Sequence, residues 1–267
     1  QAVKNMLPEL PQVFVFDTAF HQTMPEKCYM YAVPYKYYEQ NNIRRWGAHG
    51  TSHRFVTARV AEVLGEKAEN LKIITCHIGN GASVSAVKNG KCFETSMGLT
   101  PLEGVMMGTR SGDIDASAVL AIMKKEGLTP DQMSDLLNKK SGVLGISGVS
   151  SDMREVEAAC QNGNKRAELA LEMYSHRIKK YIGSYAAIMG GVDVIVFTAG
   201  VVEHQWDVRY NSVSDLEFFG VKLDEEKNRR NCGEEEIIST PDSRVKVVVV
   251  PTDEELLIAT DTLELVG

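Results

Sequence analysis

Residues 71–97 read LKIITCHIGNGASVSAVKNGKCFETSM, and this stretch carries the clearest β-sheet pattern of the chain. Residues 72–76 form a continuous apolar run, and residues 83–88 alternate between small or apolar and polar side chains. Asn89-Gly90 then supplies the positive φ angles of a tight hairpin turn before residues 91–97 return. We therefore predict a three-stranded antiparallel meander.

Helices and three further strands are predicted on either side of this meander. Helical spacing runs from Ser52, the expected N-cap, to Gly65, and Thr129-Pro130 is a typical helix start. Further helices are predicted at residues 114–126, 129–140, 152–160 and 164–189, and apolar strands at residues 13–16, 192–198 and 245–250. The order of elements indicates an α/β layer fold with a mixed sheet.

Composition excludes several classes of protein. The chain has 267 residues, 43% of them hydrophobic, and a net charge of -7 without a basic run, which argues against a nucleic-acid partner. Its five cysteines are scattered and include no CxxC pair, so we expect no disulfide framework and a cytoplasmic location. The most apolar stretch, residues 185–202, contains Asp193 and a Gly pair and is therefore not predicted to span a membrane.

Two glycine-containing turns follow predicted strands. In residues 77–83 the glycines would let backbone N–H groups approach an anion, with Asn80 and Ser83 as additional donors. Residues 198–200 form a strand-to-helix turn of the kind that binds phosphate. Each turn could equally be a purely structural one. Two of them in one α/β chain favour a nucleotide, whose phosphates are commonly held from two sides.

Three further motifs have both a functional and a structural interpretation. Arg110, flanked by Gly and Ser residues, is either a phosphate clamp or a solvated surface residue. His49 and His53 have helical i, i+4 spacing, but the expected helix start at Ser52 keeps them off one face, so zinc is not expected. Residues 252–255 form a capping box in which Thr252 caps the helix, or they contribute to a magnesium site.

These strings together resemble the acetate kinase family. The resemblance rests on residues 15–25 (VFDTAFHQTMP), residues 49–54 (HGTSHR), residues 77–83, residues 95–115 and residues 251–256 (PTDEEL). It implies a ribonuclease-H-like domain of the actin-like ATPase type, with a mixed five-stranded sheet, flanking helices and remnants of a second such domain. Residues 1–18 would be the remnant of an amino-terminal domain, residues 19–251 the nucleotide-binding and dimerisation domain, and residues 252–267 a helix that packs back on the amino-terminal domain.

The resemblance also assigns roles to individual residues. Asp17 would be the catalytic carboxylate, His49 and Arg110 would stabilise the transferred phosphoryl group, and Glu254 would be the magnesium-associated carboxylate, which with Asp17 organises the ion and its waters. The nucleotide would contact three segments: His77, Ile78, Gly79, Asn80 and Gly81; Asp152, Met153 and Arg154; and Gly200, Val201, Val202, Glu203 and His204. The last segment departs from the family's Gly-Ile-Gly-Glu-Asn, and we expect Val202 to place a side chain where backbone approaches the nucleotide.

The implied reaction is the reversible transfer of the γ-phosphoryl group of ATP to acetate, with Mg²⁺, giving acetyl phosphate and ADP. A propionate or butyrate kinase, and a non-catalytic nucleotide-binding or dimerisation module, remain alternatives. The partners would be these substrates and a second copy of the chain in a homodimer. Because the chain begins without Met and the family's amino-terminal third has no counterpart in it, we expect a piece of a longer protein without kinase turnover on its own.

Overall fold

The computed structural model describes residues 2–267 as an α/β structure. The strands are β1 Lys72–Ile78, β2 Ala82–Lys88, β3 Lys91–Thr95, β4 Val194–Thr198, β5 Glu236–Ile237 and β6 Lys246–Val249. The helices are α1 Ala2–Met6, α2 Glu26–Tyr29, α3 Lys36–Asn41, α4 Gly50–Leu64, α5 Ala116–Glu126, α6 Pro130–Lys139, α7 Gly142–Ser147, α8 Met153–Gln161, α9 Lys165–Met189, α10 Gly200–His204, α11 Trp206–Val213, α12 Glu225–Arg230 and α13 Glu254–Val266. Short 3₁₀ turns lie at Ala19–Thr23, Ala68–Asn70 and Glu217–Phe219.

The predicted meander is confirmed. β1 pairs with β2 and β2 with β3, both antiparallel, and the β2–β3 turn has φ angles of 55° at Asn89 and 70° at Gly90. Those positive angles are what a two-residue hairpin loop requires. The local turn chemistry therefore determines the register of this part of the sheet.

The sheet has six strands in the order β3-β2-β1-β4-β6-β5, with β1, β4 and β6 parallel to one another. The prediction of five strands was wrong by one, because the short β5 pairs with the edge of β6. Two residues are too few to show an alternating pattern in the sequence. The mixed α/β class itself is confirmed.

Helices cover both faces of this sheet. On one face, Val56 and Val60 of α4 pack against Ile73, Val194 and Val248 of the central strands. On the other face, the neighbouring strand residues pack against α9 and the helices around it, in a larger core that contains Ile74, Ile195, Phe197, Tyr174 and Ile178. Because both faces are covered, β1 and β4 are buried along almost their whole length.

One of the three predicted helix caps is confirmed. The Thr129 side chain caps α6 in a capping box with Gln132. Asn164, which was not predicted as a cap, caps α9. The predicted caps at Ser52 and Thr252 were wrong. α4 begins earlier, with His49 at the N-cap, and the α13 cap is Asp253, whose carboxylate accepts from the Leu256 N–H.

The predicted strand at residues 13–16 was also wrong. This segment forms no strand within the described part of the chain, and Phe14 and Phe16 are 75% and 66% exposed. A short apolar run becomes a strand only where a neighbouring edge offers hydrogen bonds, and none does so here. In the same residues 2–267, no helix combines the length and hydropathy needed to cross a membrane.

Candidate functional site

The site lies where two parallel strands end. Gly79 to Gly81 follow β1, and Ala199 and Gly200 follow β4, its parallel neighbour. A Cβ placed on Gly79 would lie 3.7 Å from the Ala199 Cβ, so the two turns touch. Ligands of open α/β sheets bind beyond the carboxyl ends of the strands. The two glycine-containing turns therefore lie side by side, as expected for one shared ligand.

Asp17 is held against the amino-terminal end of α4. Its carboxylate accepts the His49 backbone N–H at 2.6 Å and the Thr51 N–H at 3.4 Å. Its backbone carbonyl accepts the Gly50 N–H, and a Cβ on Gly50 would lie 2.2 Å from that oxygen. Glycine is therefore required at position 50 for this close approach, which orients an otherwise exposed carboxylate.

His49 and Arg110 converge on Gly81. A Cβ built on Gly81 would lie 3.2 Å from His49 Nε2 and 3.5 Å from Arg110 Nη1. The glycine therefore leaves open a space that a nitrogen from each side chain borders. Three residues that are far apart in the sequence meet at one point, which is the arrangement that an oxygen-rich anion needs.

Among the described residues, the Nε and Nη2 donors of Arg110 have no hydrogen-bond partner, whereas its Nη1 is engaged. Its Nη1 donates to the Pro101 carbonyl at 3.0 Å and contacts the Met107 sulfur at 3.7 Å. Within residues 2–267 no carboxylate forms an ion pair with it. A partly buried guanidinium without an anionic partner can bind phosphoryl oxygens in its planar fork.

The His49 ring is a neutral group. Burial lowers the pKa of His49 to about 4, Asp17 opposes that shift, and the Arg110 charge adds to it. A neutral imidazole carries one N–H donor and one acceptor nitrogen. His49 can thus donate a hydrogen bond to an anion without adding a charge.

Glu254 lies at the start of α13, close enough to Asp17 for the two charges to interact. Its pKa is raised above the usual value, chiefly by burial and also by the negative charge of Asp17. Two neighbouring carboxylates are hard oxygen ligands of the kind that Mg²⁺ accepts together with phosphate oxygens and water. Among the described residues, no cluster of three or more His, Cys, Asp or Glu side chains could hold a metal alone. The pair suits a magnesium ion that would be bound jointly by protein and phosphate.

A cavity of about 560 Å³ opens beside Gly79 and Asn80, which directly precede Gly81 in the chain. Its walls come from the two turns and from the start of α8, and its lining residues are Gly79, Asn80, Ser151, Asp152, Met153, Arg154, Gly200, Val201, His204 and Gln205. A volume of this size suits a drug-sized or nucleotide-sized ligand. Three segments predicted separately thus line one cavity.

Asp152 and Arg154 form an exposed pair at the cavity wall. Asp152 caps α8 through the Arg154 N–H at 2.9 Å and also binds the Arg154 guanidinium. These bonds lower the pKa of Asp152 to about 2. The carboxylate is therefore ionised at neutral pH and accepts hydrogen bonds from Arg154.

The second turn is strained at Ala199. Its φ of 72° and ψ of 158° lie in a region that is essentially reserved for glycine. The Ala199 N–H donates to the Glu203 carboxylate at 2.7 Å, so Glu203 turns back onto its own loop. The observed contact of Glu203 therefore stabilises the turn. The resemblance implied instead that Glu203 contacts the nucleotide directly.

Some predicted contact residues point away from the cavity. Ile78 and Val202 are fully buried in the core and do not line the cavity, so the effect of Val202 on nucleotide binding stays a prediction. His77 Nδ1 bonds to Ser52 Oγ at 2.8 Å, and its ring stacks on His49. Ser83, expected to face an anion, is fully buried and bonds to His49 and His53.

Sequence reasoning missed the convergence of His49 and His53. Because α4 begins at Gly50, the two rings approach each other, with centroids 6.5 Å apart. It also missed Ser151 and Gln205, which line the cavity. Each directly follows or precedes a predicted segment, and that adjacency was the only available signal.

The chain belongs to the acetokinase family, whose model matches residues 1–260. It is similar to the acetate kinases of Bacteroides thetaiotaomicron, at 66% identity over 99% of this chain and 66% of that protein, and Thermotoga maritima, at 63% identity over 100% and 66%. The chain thus spans about two thirds of the length of the curated relatives it matches.

The fold of the chain also matches solved structures of related kinases. The crystal structure of Porphyromonas gingivalis acetate kinase matches with a TM-score of 0.98 at 55% identity, over 100% of this chain and 67% of that chain. A propionate kinase from Francisella tularensis matches with a TM-score of 0.90 at 44% identity, over 97% and 66%.

Proposed function

We propose that this chain forms the nucleotide- and phosphoryl-binding part of an acetate kinase. The enzyme transfers the γ-phosphoryl group of ATP to acetate, reversibly, and yields acetyl phosphate and ADP. The single observation that carries the proposal is the convergence of His49 Nε2 and Arg110 Nη1 on the space left by Gly81, next to the 560 Å³ cavity. The family membership supports the same reaction.

The nucleotide would occupy that cavity. Its adenosine end would contact Asp152, Met153 and Arg154, and its phosphates would lie along the two turns, at Asn80 and Gly200. The chain of phosphates would then point toward Gly81. Backbone N–H groups at glycine turns and at strand ends are typical phosphate ligands.

Phosphoryl transfer needs positioning and charge neutralisation more than covalent chemistry from the protein. Arg110 would hold the equatorial phosphoryl oxygens, and His49 would donate a hydrogen bond to one of them. An acetate oxygen would attack phosphorus while the bond to the β-phosphate oxygen breaks, so ADP leaves. Acetate is already a carboxylate and needs no general base.

Asp17 and Glu254 are the residues that would hold magnesium. When bound, the ion would neutralise charge on the phosphate oxygens. The Asp17 carboxylate already accepts two backbone N–H groups, so it is oriented before the ion arrives. A cation at that position would stabilise the ionised form of Glu254, whose pKa is raised.

A longer acyl acceptor, propionate or butyrate, is the second candidate. The observation that favours it is the match at 44% identity to a protein described as a propionate kinase. A purely nucleotide-binding module is the third candidate. The three candidate functions are distinguished by the chain length of the acyl acceptor and by whether turnover occurs.

The domain division stated above also stays a proposal. It is supported by exposed apolar side chains on the two end segments, among them Phe14 and Phe16 before the core and Leu256 and Leu263 on α13. We also propose a homodimer through residues 19–251, and a cytoplasmic location, which five free cysteines support. Light scattering tests the dimer.

Two measurements test the function. Calorimetric titration of the chain with ADP should show one site, and absence of binding would contradict the assignment of the cavity. For turnover, the chain is joined to the part of the Bacteroides thetaiotaomicron relative that it does not cover. We expect acetyl phosphate from the joined protein, more slowly formed propionyl phosphate, and no product from the chain alone.

A further inference from the structure

We propose that Thr75, His53 and Ser83 form a hydrogen-bonded relay that fixes the ring proton of His49 on Nε2. They would therefore act as positioning residues for the group that meets the phosphoryl oxygens. The use of that proton rests on the proposed function, whereas its location rests on the geometry alone.

The relay is a continuous set of short contacts. Thr75 Oγ1 lies 2.6 Å from His53 Nδ1, His53 Nε2 lies 2.7 Å from Ser83 Oγ, and Ser83 Oγ lies 2.8 Å from His49 Nδ1. Thr75, His53 and Ser83 are fully buried. Buried polar groups need partners inside the protein, so each hydrogen in this set must be accounted for.

The hydroxyl hydrogen of Thr75 sets the direction. Besides His53 Nδ1 at 2.6 Å, its only other contact among the described residues is the Ser85 carbonyl at 3.5 Å. A hydroxyl-to-oxygen bond is normally 2.5–3.0 Å long, so the second contact is too long to satisfy a buried donor. Thr75 therefore donates to His53, and His53 Nδ1 is an acceptor.

The remaining protons follow from this first one. A neutral His53 that accepts at Nδ1 carries its hydrogen on Nε2 and donates it to Ser83 Oγ. Within residues 2–267, Ser83 Oγ contacts no polar group besides the two rings, so its own hydrogen points at His49 Nδ1. His49 then carries its hydrogen on Nε2.

The chemical consequence is at Gly81. His49 Nε2 is the ring atom nearest to the space that Gly81 leaves open, 3.2 Å from a Cβ placed there. The relay makes this atom a donor, which attracts phosphoryl oxygens. The opposite tautomer would present a bare nitrogen lone pair to the same oxygens and repel them.

Nitrogen NMR of the chain labelled with ¹⁵N-histidine tests the inference without any assay of activity. Long-range proton–nitrogen correlation distinguishes protonated from unprotonated ring nitrogens. We expect His49 and His53 each to show a protonated Nε2 and an unprotonated Nδ1 at neutral pH. A protonated Nδ1 on either ring in the native chain would overturn the proposal.

Two substitutions at one site add a matched comparison. Thr75→Val has nearly the same shape but no hydroxyl, so the ¹⁵N shifts of His49 should move toward the average of the two tautomers. Thr75→Ser keeps the hydroxyl and should keep the native shifts. An unchanged His49 spectrum in Thr75→Val would refute the relay, and the exposed His176 ring serves as the internal reference.

Should Thr75→Val fail to fold, the native spectrum alone decides the question. Titration with ADP separates this inference from the proposed function. If the expected tautomers are found but ADP does not bind, the relay is supported and the proposed function is contradicted. The expected tautomers with binding, followed by a lower kcat and little change in KM for Thr75→Val in the joined protein, would support both.

Discussion

The backbone N–H of His49 donates a hydrogen bond of 2.6 Å to the carboxylate of Asp17. This bond ties the irregular segment before Asp17 to the first turn of α4, which also carries the His49 ring. The proposed magnesium-side carboxylate and the proposed phosphoryl-side imidazole are thereby held by one helix start. Their relative position therefore depends on the bond between the Asp17 carboxylate and the His49 backbone N–H.

Asp17→Asn tests the role of that carboxylate. The substitution removes the negative charge while keeping the size of the side chain, so the protein should still bind ADP without metal. In the presence of Mg²⁺ we expect ADP affinity to fall by roughly tenfold, which is about 1.4 kcal/mol. Calorimetric titration with and without Mg²⁺ measures this difference.

Asp224→Asn is the matched control. Asp224 also accepts a backbone N–H at a helix start, that of Lys227 on α12, but it does not line the cavity. Its substitution should leave ADP binding unchanged under both conditions. Equal effects of the two substitutions would contradict a specific magnesium role for Asp17.

Gly81→Ala tests the open space between His49 and Arg110. The new Cβ would lie 3.2 Å from His49 Nε2, within the space proposed for phosphoryl oxygens. We expect acetyl phosphate formation by the joined protein to fall by about a hundredfold, as when a transition-state donor is lost. Gly183→Ala is the control, since nothing lies within 4 Å of a Cβ there. Comparable losses in both variants would argue against the site.

The fold was predictable where local chemistry decides it. Asn89-Gly90 specifies its own turn, and Asn164 its own helix start, because the relevant hydrogen bonds lie within a few residues. β5 and residues 13–16 were not predictable, since pairing there depends on whether a distant edge is available. The cap of α13 depends on which of two adjacent side chains reaches the Leu256 N–H, and Asp253 does so.

The candidate site was predictable in its parts and not in its assembly. The glycine turns and the resemblance pointed to Arg110 and Gly81, but only the folded chain shows that their atoms meet. The inward orientation of Val202 and Ser83 follows from the direction of α10 and the pleat of β2. Such orientations depend on tertiary packing, which a single sequence does not specify.

Val202→Gly separates a core role from a nucleotide role. The substitution introduces the glycine found in the family motif, but Val202 is fully buried in the core. We expect the free energy of unfolding to fall by about 2–4 kcal/mol, from the lost packing and the flexible helix position. ADP affinity of the folded protein should not improve. Urea unfolding and calorimetry measure the two quantities, and tighter ADP binding would contradict the core assignment.

The free energy of unfolding should decrease as the pH is lowered below the usual histidine pKa. Burial lowers the pKa of His77 to about 3 and that of His53 well below 6.5, so both stay neutral in the folded chain while the unfolded chain takes up protons. The unfolded state is therefore favoured as pH falls from about 6.5, by up to about 1.4 kcal/mol per pH unit for each ring.

Urea unfolding between pH 7 and pH 5 checks this slope. His77→Gln should reduce the pH dependence, since one buried ring no longer differs between the two states. His176→Gln should leave it unchanged, because His176 is exposed. A slope that is the same in all three proteins would rule out the neutral buried state of His77.

The rate of acetyl phosphate formation by the joined protein with Arg110→Ala tests the central claim most directly, with Arg177→Ala on α9 as the control. We predict that Arg110→Ala loses at least about a hundredfold in kcat while ADP still binds in the cavity, because the lost guanidinium acts on the transferred group. Arg177→Ala should match the unsubstituted protein. A kcat that survives the loss of Arg110 would contradict the account.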